Sequence, residues 1–65
     1  MDNRQKEELI LIIKRLSSLG FDKKRIKQII CNENLYFNFA SPLNFVERNL
    51  SHKVFEYIDW LEIQK

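Results

Sequence analysis

The chain has 65 residues, 45% hydrophobic and 31% charged, with one Gly, one Pro, one Cys and a net charge of +2. That length gives one domain near the lower limit for a core that folds unaided, so self-association or a partner would help it. The hydrophobic content excludes a disordered chain, the lone cysteine excludes an internal disulfide, and no apolar run approaches the roughly 20 residues of a membrane span. The opening MDNRQKEE is polar and mixed in charge, unlike a secretory signal. These features point to a cytoplasmic all-α protein, with Cys31 a small buried thiol in a reducing compartment.

Charge is unevenly spread. Residues 1–30 hold eight Lys and Arg against four Asp and Glu, whereas residues 31–65 hold three against five. Such a split can align two copies head to tail or present a basic face to an anionic partner.

The first helix is expected over residues 5–19, opening with Glu7 and Glu8 at the positive end of the helix dipole. At about 100° per residue, Leu9, Ile12, Ile13, Leu16 and Leu19 share one face. Ile10 and Leu11 fall off it, and Leu11 points nearly the other way. A helix apolar most of the way round cannot be buried on all sides in so small a domain, so Ile10 and Leu11 mark a second contact surface.

The helix stops at Gly20, the residue type that takes a left-handed position past a helix end without steric cost. Asp22 caps the next helix, and Phe21 and Ile26 have the spacing of a hydrophobic staple. Stop, turn, cap and staple within seven residues define a helical hairpin over residues 5–33. Its second helix, residues 22–33, carries a thin stripe of Ile26, Ile29 and Ile30. Lys23, Lys24, Arg25 and Lys27 crowd the first turn, where cations oppose the helix dipole by some tenths of a kcal/mol each. Local stability does not explain them. They are candidates for contact with an anion or an acidic partner, set against the simpler reading of a solvated face.

Residues 34–41 form an aromatic connector. Asn32, Asn34 and Asn38 mark non-helical backbone around the large apolar Leu35, Tyr36, Phe37 and Phe39. The expectation is a lid folded over the open side of the hairpin. Ser41 and Pro42 then announce a third helix over residues 42–63. Leu43, Val46, Leu50, Val54, Tyr57, Ile58 and Leu61 recur along it at three- and four-residue steps. Ser51 marks where this helix would restart if it broke near residues 49–52. Phe45, Phe55, Trp60 and Ile63 lie outside the stripe, where aromatic anchors suit an interface. The expected fold is thus a small three-helix domain, a helical hairpin plus a long third helix.

Residues 7–31, EELILIIKRLSSLGFDKKRIKQIIC, resemble the helical hook shared by the SinI anti-repressor and SinR repressor family of Gram-positive bacteria. The resemblance rests on Glu7 and Glu8, on Leu9, Ile12, Ile13 and Leu16, on the Leu19-Gly20 turn, on Asp22, and on Ile26, Ile29 and Ile30. It departs at Leu9, where the pattern has an aromatic residue, and at Leu16, where it has a small one. The resemblance implies an anti-repressor-like protein that displaces a repressor's own oligomerisation hook. The Leu19-Gly20-Phe21 turn also resembles that of ubiquitin-associated bundles, but the connector and the acidic third helix depart from that family. Richness in Ile, Lys and Asn suits a low-GC bacterium or one of its phages.

Chemistry for catalysis is sparse. One His and one Cys cannot build a four-ligand zinc site, nothing orients His52 against Cys31, and no Gly-rich phosphate loop exists. No enzyme activity, metal or cofactor is expected. The leading reading is a protein-interaction module, homodimeric or bound to a transcription regulator or other host protein through Ile10, Leu11, Phe45, Phe55 and Trp60. The alternative is a small helix-turn-helix DNA-binding regulator using Lys23, Lys24, Arg25 and Lys27 on phosphates. Against it, the second helix offers only Arg25 and Gln28 for base reading. The hairpin turn itself is testable: Gly20→Val forces a β-branched residue towards positive φ and should destabilise by more than about 1 kcal/mol, visible as a lowered melting temperature.

Overall fold

Asp2 begins the fold. In a computed structural model that describes residues 1–64, its carboxylate accepts the Gln5 amide at 2.8 Å, and Gln5 Oε1 accepts the Asp2 amide at 3.1 Å. This reciprocal capping box starts α1, which spans Asn3–Ser18. The helix therefore begins two residues before the expected position. Glu7 and Glu8 lie beyond its first turn, so they are not the dipole partners that the sequence suggested.

The end of α1 is as predicted. Gly20 has φ 99°, its N–H donates to the Ser17 carbonyl at 3.0 Å, and the Phe21 N–H reaches the Leu16 carbonyl at 3.4 Å. Those two bonds make a Schellman motif, for which glycine supplies the left-handed residue. Asp22 then caps α2, Lys23–Cys31, by accepting the Arg25 amide at 2.8 Å.

The connector closes on itself. Asn34 accepts the Tyr36 amide on its side chain, and its N–H donates to the Ala40 carbonyl at 3.1 Å. Between these anchors runs a single 3-10 turn, Leu35–Phe37, followed by Asn38 at φ 56° and Phe39 at φ 67°. A left-handed bulky residue such as Phe39 is unusual. Here the Phe39 and Ala40 amides are both bonded, to the Asn34 and Phe37 carbonyls. The expected aromatic lid is reduced to Phe37, with the half-exposed Tyr36 laid against it and Tyr57. Phe37 is buried, whereas Leu35 and Phe39 are 73% and 67% exposed. A three-residue period turns only one of three consecutive side chains inward.

The long third helix of residues 42–63 is not formed, and this is the main correction to the three-helix expectation. Ser41 caps and Pro42 opens a short helix, α3, that ends at Glu47; α4 then runs Ser51–Gln64. A second Schellman motif separates them. Asn49 takes φ 61°, its N–H bonds the Val46 carbonyl at 3.0 Å, and the Leu50 N–H bonds the Phe45 carbonyl at 2.8 Å. Asparagine tolerates the left-handed conformation better than most residues, which is why the break falls there. The described residues hold four α-helices and no strand beyond one isolated bridge, Asn34 with Ala40, so the fold is all-α.

The break lets α4 turn back along α1. Ile12 and Leu16 from α1, Ile26 and Ile30 from α2, Val46 from α3, and Val54, Tyr57 and Ile58 from α4 meet Phe37 in one core. Fully burying an aliphatic side chain of this size is worth about 1.5–3 kcal/mol. Gln5, also buried, ties this arrangement to the corner: its Nε2 donates to the Glu47 carbonyl and to Asn49 Oδ1, each at 3.1 Å. Close by, the buried Ser51 hydroxyl donates to the Glu8 carboxylate at 2.5 Å. Gln5→Glu keeps the shape but removes both donors, and should cost about 1–3 kcal/mol at neutral pH. A carboxyl surrounded by acceptors has its folded pKa raised, so the cost should shrink as acid restores the O–H donor. Chemical denaturation of the variant and the wild type at pH 7 and pH 4.5 measures both effects.

Candidate functional site

The five apolar residues assigned to partner binding lie on different sides of the molecule. Ile10 and Leu11 are 51% and 52% exposed on α1, about 100° apart around its axis. Leu11 lies one turn before Arg15, whose guanidinium sits 6.0 Å from the Phe55 ring centroid. Arg15 also donates to Asp59 at 2.6 Å and to Glu62 at 2.8 Å. Those bonds, Asp59 foremost, hold its pKa further above the ordinary arginine value. Phe55 itself is half-buried against the core.

Trp60 lies about 140° around α4 from Phe55 and is 45% exposed. It stacks with Tyr57 at a centroid distance of 5.9 Å and lies 6.0 Å from Tyr36. Tyr36 and Tyr57 continue inward to Phe37, which meets Phe45 at 4.7 Å. Phe45 is thus half-buried at the inner end of an aromatic row, with Arg48 over its ring at 5.7 Å. Trp60 presents the outer end of that row to solvent. The sequence named these residues, but the structure does not gather them into one patch.

The cations are better placed. Lys23, Lys24, Arg25 and Lys27 are all exposed on α2, and none enters an ion pair among the described residues. Helical phase divides them. Lys23 and Lys27, one turn apart, border a groove between α1 and α2. Arg25 faces the other way, towards Tyr57 and Asn32, with its Nη1 3.4 Å from Gln28 Oε1.

That groove was not foreseen. It has a volume of about 410 Å³ and is walled by Leu9 and Ile13 of α1 and by Ile26 and Ile30 of α2, with Leu43 of α3 at one end. Leu9 and Ile13 belong to the stripe that the periodicity assigned to the core. Of that stripe the core takes Ile12 and Leu16 fully, with Leu9 and Leu19 packed beside them, which leaves Leu9 half-covered and Ile13 39% exposed. Only the packing angle of α2 against α1 could reveal this.

Cys31 also corrects the sequence reading. It is exposed rather than buried, because the final residue of α2 is phased with Lys23 and Lys27 along the groove and not with Ile26 and Ile30. Comparison with protein-family models, curated proteins and solved structures returns no match. The exposed thiol gives a direct check on the groove's geometry: Cys31 in the folded protein should react with iodoacetamide at nearly the rate of the denatured chain, followed by mass spectrometry.

Proposed function

We propose that the protein is a small interaction module that acts by occupying a surface of another protein, as a regulator or inhibitor of the anti-repressor kind that its hairpin resembles. A transcription regulator in the cytoplasm of a Gram-positive bacterium is the partner class this resemblance implies, with a phage-encoded inhibitor as one form of it. The supporting observation is apolar surface left outside a closed core. Ile10, Leu11 and Trp60 stay half-exposed although the fold already buries nine apolar side chains. At about 25 cal/mol per Å² of apolar surface removed from water, covering several such residues favours association by multiple kcal/mol. Alone, the protein is then a homodimer built from the exposed side of α1, of α4 or of both, and the partner competes for that same surface.

A second reading, a small DNA-binding regulator, draws on the absence of ion pairs at Lys23, Lys24, Arg25 and Lys27 among the described residues. It is the weaker one. The contact between Arg25 and Gln28 occupies the two side chains of α2 best suited to reading bases.

One variant separates the readings. Leu11→Ser with Trp60→Ser should remain folded by circular dichroism, sediment as a monomer and lose partner capture from a Gram-positive lysate. A wild type that is monomeric at high micromolar concentration ends the homodimer claim. A specific, salt-sensitive complex of the wild type with DNA at nanomolar protein would favour the second reading.

A further inference from the structure

We propose that the groove between α1 and α2 receives an acidic amphipathic helix from another protein, a proposal that rests on the interaction-module reading and specifies the partner's chemistry. The walls are apolar along their length. On α2 they extend from Lys23 to Cys31, about 12 Å at 1.5 Å per residue, which matches two turns of an incoming helix. A helix of that length presents apolar anchors at positions i, i+3, i+4 and i+7. Leu9, half-covered, and Ile13, 39% exposed, stand ready to receive them, above a floor formed by the buried Ile26 and Ile30.

The rim decides the charge of the occupant. Lys23 and Lys27 border the α2 side without an acidic partner among the described residues. On α1, exposed Lys6 precedes Leu9 by three residues and Ile10 by four, which places a further cation on that helix's groove side. Acidic residues flanking the anchors of a bound helix would meet ammonium groups on both edges.

A second copy of the chain is a poor occupant. Two grooves face to face would set Lys23 and Lys27 against their own counterparts, a like-charge arrangement that specificity normally avoids. The acidic row of α4 cannot substitute. Asp59 and Glu62 are held by Arg15, and Glu56 lies 3.6 Å from Lys53. The groove therefore selects a different protein.

Cys31, on the wall of the groove, serves as the native reporter. Two synthetic helical peptides share leucines at i, i+3, i+4 and i+7, one flanked by glutamates and the other by lysines. With the full chain, the glutamate peptide should slow iodoacetamide alkylation of Cys31 in a saturable, salt-sensitive way, and the lysine peptide should not. Lys23→Glu with Lys27→Glu should lower affinity for the glutamate peptide at least about tenfold and confer binding of the lysine peptide. This variant should fold, since Lys23→Glu puts an acid in the first turn of α2, where the dipole favours it.

Unchanged alkylation at saturating concentrations of the glutamate peptide would overturn the proposal, as would equal protection by both peptides. Protection of Cys31 by raising the protein's own concentration would assign the groove to a second copy and overturn it as well. Failure here leaves Leu11 and Trp60 able to capture a partner by another face. Loss of the interaction-module reading would instead show as a wild type that captures no protein partner, and normal capture by the Leu11 and Trp60 double variant would end only the assignment of those two residues.

Discussion

The buried carboxamide of Gln5 is the constraint on which the other contacts depend. It completes the cap of α1 and reaches across more than forty residues of sequence to the Glu47 carbonyl and the Asn49 side chain. Among the described residues, Gln5 and Ser51 are the buried polar side chains, and both serve the same corner. An unmatched buried amide would cost more than the bond contributes, so this corner has one satisfactory geometry. Its direction carries α4 back beside α1, where Val54 and Ile58 enter the core. The exposed bonds of Arg15 to Asp59 and Glu62 come second, because ion pairs in water add little on their own.

Local signals in the sequence were legible where they acted alone. Gly20 fixes a helix end through its backbone freedom, Asp22 and Ser41 through their side-chain oxygens and Pro42 through its ring, and all do so in the structure. The stripe through Val46, Val54, Tyr57 and Ile58 also reached the core, although the helix beneath it is broken. The break was only half visible. Ser51 does restart a helix, but the sharp turn before it uses asparagine rather than glycine, and Asn49 stands inside an otherwise unbroken apolar period. The Asp2 and Gln5 box was present in the sequence and was outweighed by the more conspicuous Glu7 and Glu8. For the candidate site, helical phase correctly left Ile10 and Leu11 outside the core. It could not show that they face different neighbours, nor that Leu9 and Ile13 would border a groove, because both depend on how separate helices lean together.

The helical hairpin keeps little of its apolar face free in this fold. Ile12, Leu16, Ile26 and Ile30, the heart of its apolar face, are already covered by α3, α4 and Phe37 of the same chain. What remains outside the core is the flank at Leu9 and Ile13, together with the outward sides of α1 and α4.

The tie between Gln5 and Asn49 has a further consequence during synthesis. Residues of α1 and α2 are made first, and the residues that cover their apolar face follow some thirty positions later. At about 5–20 residues per second, that interval is roughly two to six seconds. An isolated pair of short helices is marginal in water, so ordering of α1 and α2 waits for the corner to emerge and for the distant halves of the chain to meet. The apolar side chains of α1 and α2 thus become buried in the same step that seats Gln5 against Glu47 and Asn49, so the two halves of the chain order together.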